Sequence, residues 1–128
     1  MATGFPASTG DVLSAAMFNG LVTFTINPQS GSTYTVANTD LYQALVQTTN
    51  ASTKTVTIAP DSTLTAAATG SAITFLNTGA GDLTFAAGSG VTITSAGATS
   101  SAPKLAQYKS AVAIRTGANA WTIVGAVA

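Results

Sequence analysis

The chain has 128 residues, 46% hydrophobic and only 6% charged, with no His and no Cys. A typical soluble domain carries about 25% charged residues, so four Lys or Arg against four Asp leave a surface of roughly 6,200 Å² almost bare of charge. Zero net charge favours association, offers no basic footprint for nucleic acid, and the missing residue types exclude disulfides, thiolate metal sites and His-mediated proton transfer.

The segment Met1–Pro6 has neither a basic n-region nor an apolar h-region, and no run of apolar residues is long enough for a membrane span. Residues 1–20 read as an N-terminal arm: an extended stretch, then a possible short helix that Ser14 could cap and Gly20 could end. Phe5, Leu13, Met17 and Phe18 are too large to be buried within so short a segment. They must pack on the following domain or on another molecule, which makes them the candidate assembly contacts.

Over residues 21–128 the period is two, the mark of half-buried strands. Val22, Phe24 and Ile26 alternate with Thr23 and Thr25, and Asn27-Pro28-Gln29-Ser30-Gly31 reads as a turn. Asp40 to Gln47 fits either one helical turn or the start of a strand. Further strands are expected around Val56 and Ile58, Ile73 and Phe75, Leu83 and Phe85, Val91 and Ile93, Val112 and Ile114, and Trp121 and Ile123. Between them stand Ala59–Ser62, Asn77–Asp82, Ala87–Gly90, an exposed loop over Ala96–Pro103, and Thr116–Asn119. Thr suits the outward positions, where its branched side chain fits the pleat and its hydroxyl meets water. About eight short strands with such punctuation predict an all-β fold, a single antiparallel β-sandwich or jelly-roll-like domain.

No constellation for chemistry stands out. Asp11, Asp40, Asp61 and Asp82 are widely separated and mostly in turns, where an Asx-turn accounts for them, so no catalytic, cofactor-binding or metal-ligating residue is assigned. Gly79-Ala80-Gly81-Asp82 lacks the third glycine and the helix of a dinucleotide fingerprint, and is a single copy where a calcium-binding repeat needs several. It reads as a hairpin turn. Phe24, Phe75, Phe85 and Trp121 all fall on alternating apolar positions and are expected in the core. The loops hold almost no aromatics on which a sugar could stack.

Val56-Thr57-Ile58-Ala59-Pro60-Asp61-Ser62, the stretch Ile73 to Gly81, Leu83 to Ile93, and the ending Gln107-Tyr108, Ile114-Arg115-Thr116-Gly117, Trp121 and Gly125 together resemble a β-domain of tailed-bacteriophage virion proteins. The likeness spans about Tyr34 to Val127, and Gly10 to Asn19 is similar to a peptide common near the start of such proteins. The resemblance implies a non-enzymatic structural protein of the virion, with no catalytic residues to carry over. A β-domain with only a short arm fits a capsid decoration (cement) protein that binds the major capsid protein, made in the bacterial host cytoplasm and placed on the capsid surface. It would be a homo-oligomer, a trimer at three-fold positions of the shell, with neither nucleic acid nor membrane as partner. The alternatives are a tail- or head-fibre module that binds a receptor or glycan, and a remnant glycosidase or lyase module, which would need a carboxylate pair.

Overall fold

A computed structural model describes residues 15, 23–41, 43–96 and 102–128. Phe5, Leu13, Met17 and Phe18 lie outside the described residues, as does the expected short helix apart from Ala15 and most of the expected Ala96–Pro103 loop.

The described chain is built of ten strands and one 3₁₀ turn: β1 (Thr25–Gln29), β2 (Thr33–Thr35), η1 (Asn38–Leu41), β3 (Ala44–Thr48), β4 (Lys54–Ile58), β5 (Ala72–Asn77), β6 (Leu83–Ala87), β7 (Thr92–Ser95), β8 (Lys104–Leu105), β9 (Lys109–Gly117) and β10 (Ala120–Gly125). They form a six-stranded sheet ordered β1-β3-β5-β9-β10-β7 and a four-stranded sheet ordered β2-β4-β6-β8. The segment 40–47 resolves into both of its possible readings in succession, a 3₁₀ turn and then β3.

The expectation of antiparallel sheets is corrected. Strands β1 to β6 alternate between the two sheets, and β1 to β4 each pair parallel with the strand two further on. The chain therefore winds as a coil of three turns, β1–β2, β3–β4 and β5–β6. Antiparallel pairing enters only late, where β8 joins β6 and β9 joins β5 and β10. Period two in sequence is the same for parallel and antiparallel strands, so the alternation had no power to tell them apart.

Two turn assignments are corrected with it. Asn27, Pro28 and Gln29 belong to β1; Pro28 is tolerated because β1 is an edge strand, where a missing N–H breaks no interior ladder. Residues 78–82 are an arc between sheets and not a hairpin turn, since β5 and β6 are not paired with each other. Glycine is needed there because each arc sits directly on the previous one. A Cβ at Gly79 would collide with the Asn50 carbonyl, and one at Gly81 with Ser52.

The core lies between the inward faces. Val46, Ile73, Phe75, Ala111, Ala113, Trp121 and Ile123 from the larger sheet meet Val56, Ile58, Leu83, Phe85 and Leu105 from the smaller. Phe75 and Phe85 cross edge to face at 5.0 Å, a favoured arrangement of the ring quadrupoles. Trp121, expected in the core, is 1% exposed, and its indole Nε1 has no hydrogen-bond partner.

Polar side chains brace the coil. Lys54, 3% exposed, donates through Nζ to the carbonyls of Asn50 and Gly81, each at 2.7 Å, and so ties two successive arcs together. Burial pushes its amine below the usual lysine range, against the opposing pull of Asp82. Asn77 is buried beside it, donating to Gly81 and Leu105 carbonyls while its Oδ1 accepts from Gly79 N and Thr48 Oγ1.

Candidate assembly surface

Alternation along the strands gives each sheet an outward face, and the two faces differ in chemistry. On the four-stranded sheet the registers place Thr33 beside Thr55, Thr55 beside Thr84, and Thr84 beside Lys104, with Thr35 beside Thr57 and Thr57 beside Ala86. This is a hydroxyl surface ending in a cation.

On the six-stranded sheet the row in register is Ile26, Leu45, Thr74, Val112 and Val124. Leu76 and Ile114 flank it, each alternating with residues of the core. Leu45, Leu76, Val112, Ile114 and Val124 remain half-buried and Ile26 is 50% exposed. The outward positions of all six strands carry no charged residue, and Gln47, Thr74, Ser110, Thr92, Thr94 and Thr122 make the remainder of the face polar.

This face corrects the reading of the first strand. Phe24, expected in the core, is 54% exposed and stands just before β1, while Asn27 of the same strand points inward. The reason is a buried carboxylate. Asp40, 1% exposed, accepts hydrogen bonds from Asn27 Nδ2 at 2.9 Å, Tyr34 OH at 2.6 Å and Ala37 N at 2.9 Å. Burial and then the Asp40 carboxylate push the Tyr34 phenol up to about 12. The first coil turn thus closes over a polar cluster, with a cleft of about 310 Å³ beside it, and the apolar residues of β1 are turned to the outside. A second cleft of about 300 Å³, lined in part by Phe24, Gln43, Ala72 and Thr74, opens at the margin of the aliphatic face.

The remaining charges among the described residues lie elsewhere. Asp61 and Arg115 form a two-pronged ion pair, Nη2 to Oδ2 at 2.7 Å and Nε to Oδ1 at 3.2 Å. Asn119, in the β9–β10 turn at φ 50°, clasps the same Asp61, its backbone N–H donating to Oδ2 and its Oδ1 accepting from Asp61 N. Arg115, then Asn119, hold the Asp61 carboxyl below the usual carboxylate range. Asp82, Lys104 and Lys109 are exposed.

One exposed aromatic escaped the sequence reading. Tyr108, 74% exposed, sits at φ 61° in the turn before β9, held by a 2.6 Å bond from its N–H to the Asn77 carbonyl. A left-handed aromatic residue is strained, and no residue type in Gln107-Tyr108 announces it. Among the described residues no group of three His, Cys, Asp or Glu side chains is placed to hold a metal. No protein-family model, curated protein or solved structure matches the chain.

Proposed function

We propose that this chain is a non-enzymatic structural subunit of a bacteriophage virion, a capsid decoration protein that binds and stabilises the shell formed by the major capsid protein. The observation that carries the reading is the uncharged aliphatic face of the six-stranded sheet. Aliphatic side chains contributed by five strands to one outward face point to an interaction site, and a subunit that is permanently assembled can keep one. The phage-like pattern from Tyr34 to Val127 supplies the virion context. The two sheets are read as a sandwich in which the coil gives rigidity and one outer face gives adhesion. Three-fold shell positions favour a trimer.

Cementing of this kind is binding linkage. A subunit that binds only the mature shell stabilises it by RT ln(1 + [L]/Kd) per site, and repetition over many sites multiplies the effect. The test is the position of the subunit in an electron-microscopy map of the intact particle, together with particle heat resistance with and without it. Density on the head shell and a lower disruption temperature after depletion are expected. Density on the tail would instead support the fibre reading, in which Tyr108 would be the exposed aromatic available for sugar stacking.

A further inference from the structure

The coil is finished differently at its two ends. At the late end the C-terminal residue lies along β8: Lys104 and Ala128 exchange backbone N–H to carbonyl bonds at 3.0 Å each, and Val127 bridges Leu105. At the early end β1 and β2 are both edge strands. On β1, the register Thr25 to Ala44 and the bond from Thr25 N–H to the Gln43 carbonyl turn the backbone groups of 25, 27 and 29 toward β3. Its outer edge therefore carries Ile26 and Pro28, and a proline there withholds a donor and obstructs a further strand. On β2, bonds from Thr55 N–H to the Ser32 carbonyl and from Val36 N–H to the Thr57 carbonyl direct the backbone groups of Tyr34 toward β4. This leaves the N–H and C=O of Thr33 and Thr35 on the outer edge, in strand conformation, with neither proline nor charge in the strand.

Between these two strands opens the cleft of about 310 Å³, lined in part by Asn27, Tyr34, Thr39 and Asp40. The donors that serve the buried Asp40 carboxylate, from Asn27, Tyr34 and Ala37, are all neutral. The one ion pair among the described residues joins Arg115 to Asp61. A carboxylate has about four acceptor positions, and a buried charge is ordinarily met by an opposite one.

Strand geometry connects the edge to the cleft, because side chains in register across a sheet stand on the same face. Tyr34 points between the sheets, its hydroxyl on Asp40. The residue of an added strand that stands beside Tyr34 would therefore enter the same cleft, while its two neighbours would lie beside Thr33 and Thr35 on the hydroxyl face. A Lys or Arg at that position brings the missing charge on a long apolar stem. Ile26 both lines the cleft and begins the aliphatic row, so the mouth of the coil is continuous with the surface proposed to meet the shell.

We infer that the early end of the coil receives an extended segment of the shell protein by strand addition to β2, with a Lys or Arg side chain in the Asp40 cleft. This rests on the reading of the chain as a shell-binding subunit, and it names the chemistry of the contact. Backbone pairing supplies the affinity of such an addition, and an ion pair seated in the cleft is little screened by salt.

The experiment uses the isolated full chain and a synthetic probe, acetyl-Thr-Ser-Thr-Lys-Thr-Ser-Thr-amide, at millimolar concentration. Without the probe, the Thr33 and Thr35 amides should exchange with deuterium about 100-fold or more faster than the Val56 amide inside the sheet. With it, both should slow by about tenfold. The same peptide with norleucine in place of lysine should bind about tenfold more weakly, and Asp40→Asn should abolish that preference while circular dichroism stays β-rich. Should Asp40→Asn fail to fold, Thr35→Pro removes an outer N–H and no ladder bond, and it should prevent protection by either peptide.

Thr33 and Thr35 amides already protected in the isolated chain overturn the inference, because the chain would then cover this edge itself. Equal binding of the two peptides, or binding of neither, overturns it as well. No shells enter this measurement, so its failure leaves the capsid reading standing. Subunit density on the tail would instead sink that reading, and the shell as partner with it, while leaving the peptide result intact.

Discussion

The two outward faces share one backbone geometry and differ in how much aliphatic surface they carry. On the smaller sheet the positions include Thr33, Thr35, Thr55, Thr57 and Thr84; on the larger, Ile26, Leu45, Leu76, Val112, Ile114 and Val124 stand among Gln47, Thr74, Thr94 and Thr122. Thr and Val are nearly isosteric, and both suit a pleated, half-buried surface. The sheet would therefore accept hydroxyls on either side. The aliphatic choice on one side is not a demand of the fold, and its explanation lies in what that side meets.

Substitution can break or sharpen that contrast. The largest effect should come from the core that both faces share: Trp121→Ala should cost roughly 3–5 kcal/mol, as large aromatic truncations in cores do, measured by urea denaturation. Loss of under 1 kcal/mol would mean that the sheets are not held by this core. Next, Lys54→Met removes the cation that links the Asn50 and Gly81 carbonyls and should destabilise by about 1–3 kcal/mol. Its effect should be on folding, with no change in association with the shell per folded molecule.

The contrast itself is tested by exchanging chemistries. Val112→Thr together with Val124→Thr should leave folding stability within about 1 kcal/mol yet weaken association, whereas Thr55→Val with Thr57→Val should leave association unchanged. Association should also change little between about 0.1 and 1 M salt, because few charges exist to be screened. A loss of tenfold or more in affinity would assign cohesion to the few Lys and Asp residues instead.

The smallest effect concerns pH. The Asp61 carboxyl is held below its unfolded value by Arg115 and Asn119, so its contribution is present above about pH 4, the unfolded carboxylate value. It is lost as pH falls through the lower folded value. Asp61→Asn should flatten the acid limb of the stability curve, and an unchanged limb would show that the pair does not stabilise the native state.

Much of the architecture was legible in the residues. Val56, Ile58, Ile73, Phe75, Leu83, Phe85, Trp121 and Ile123 are all in the core, as the period of two requires, because alternation reports which side of a strand is buried. Two things misled it at β1. Phe24 and Ile26 alternate like core residues but face outward, since a second apolar face produces the same pattern as a buried one. The carboxylate that draws Asn27 inward, Asp40, is also remote in sequence and gives no local signal.

By itself, then, the amino-acid sequence determined strand chemistry, the positions of most strands, the larger part of the core and the scarcity of charge, because each depends on local periodicity or composition. Tertiary structure alone decided that the early strands run parallel in a coil, that Lys54 and Asp40 are interior, that Gly79 and Gly81 sit against the preceding arc, and that the aliphatic residues of five strands share a face. These follow from register and stacking between segments far apart in the chain. Pairing energies of that kind are summed over neighbours that a local pattern does not name.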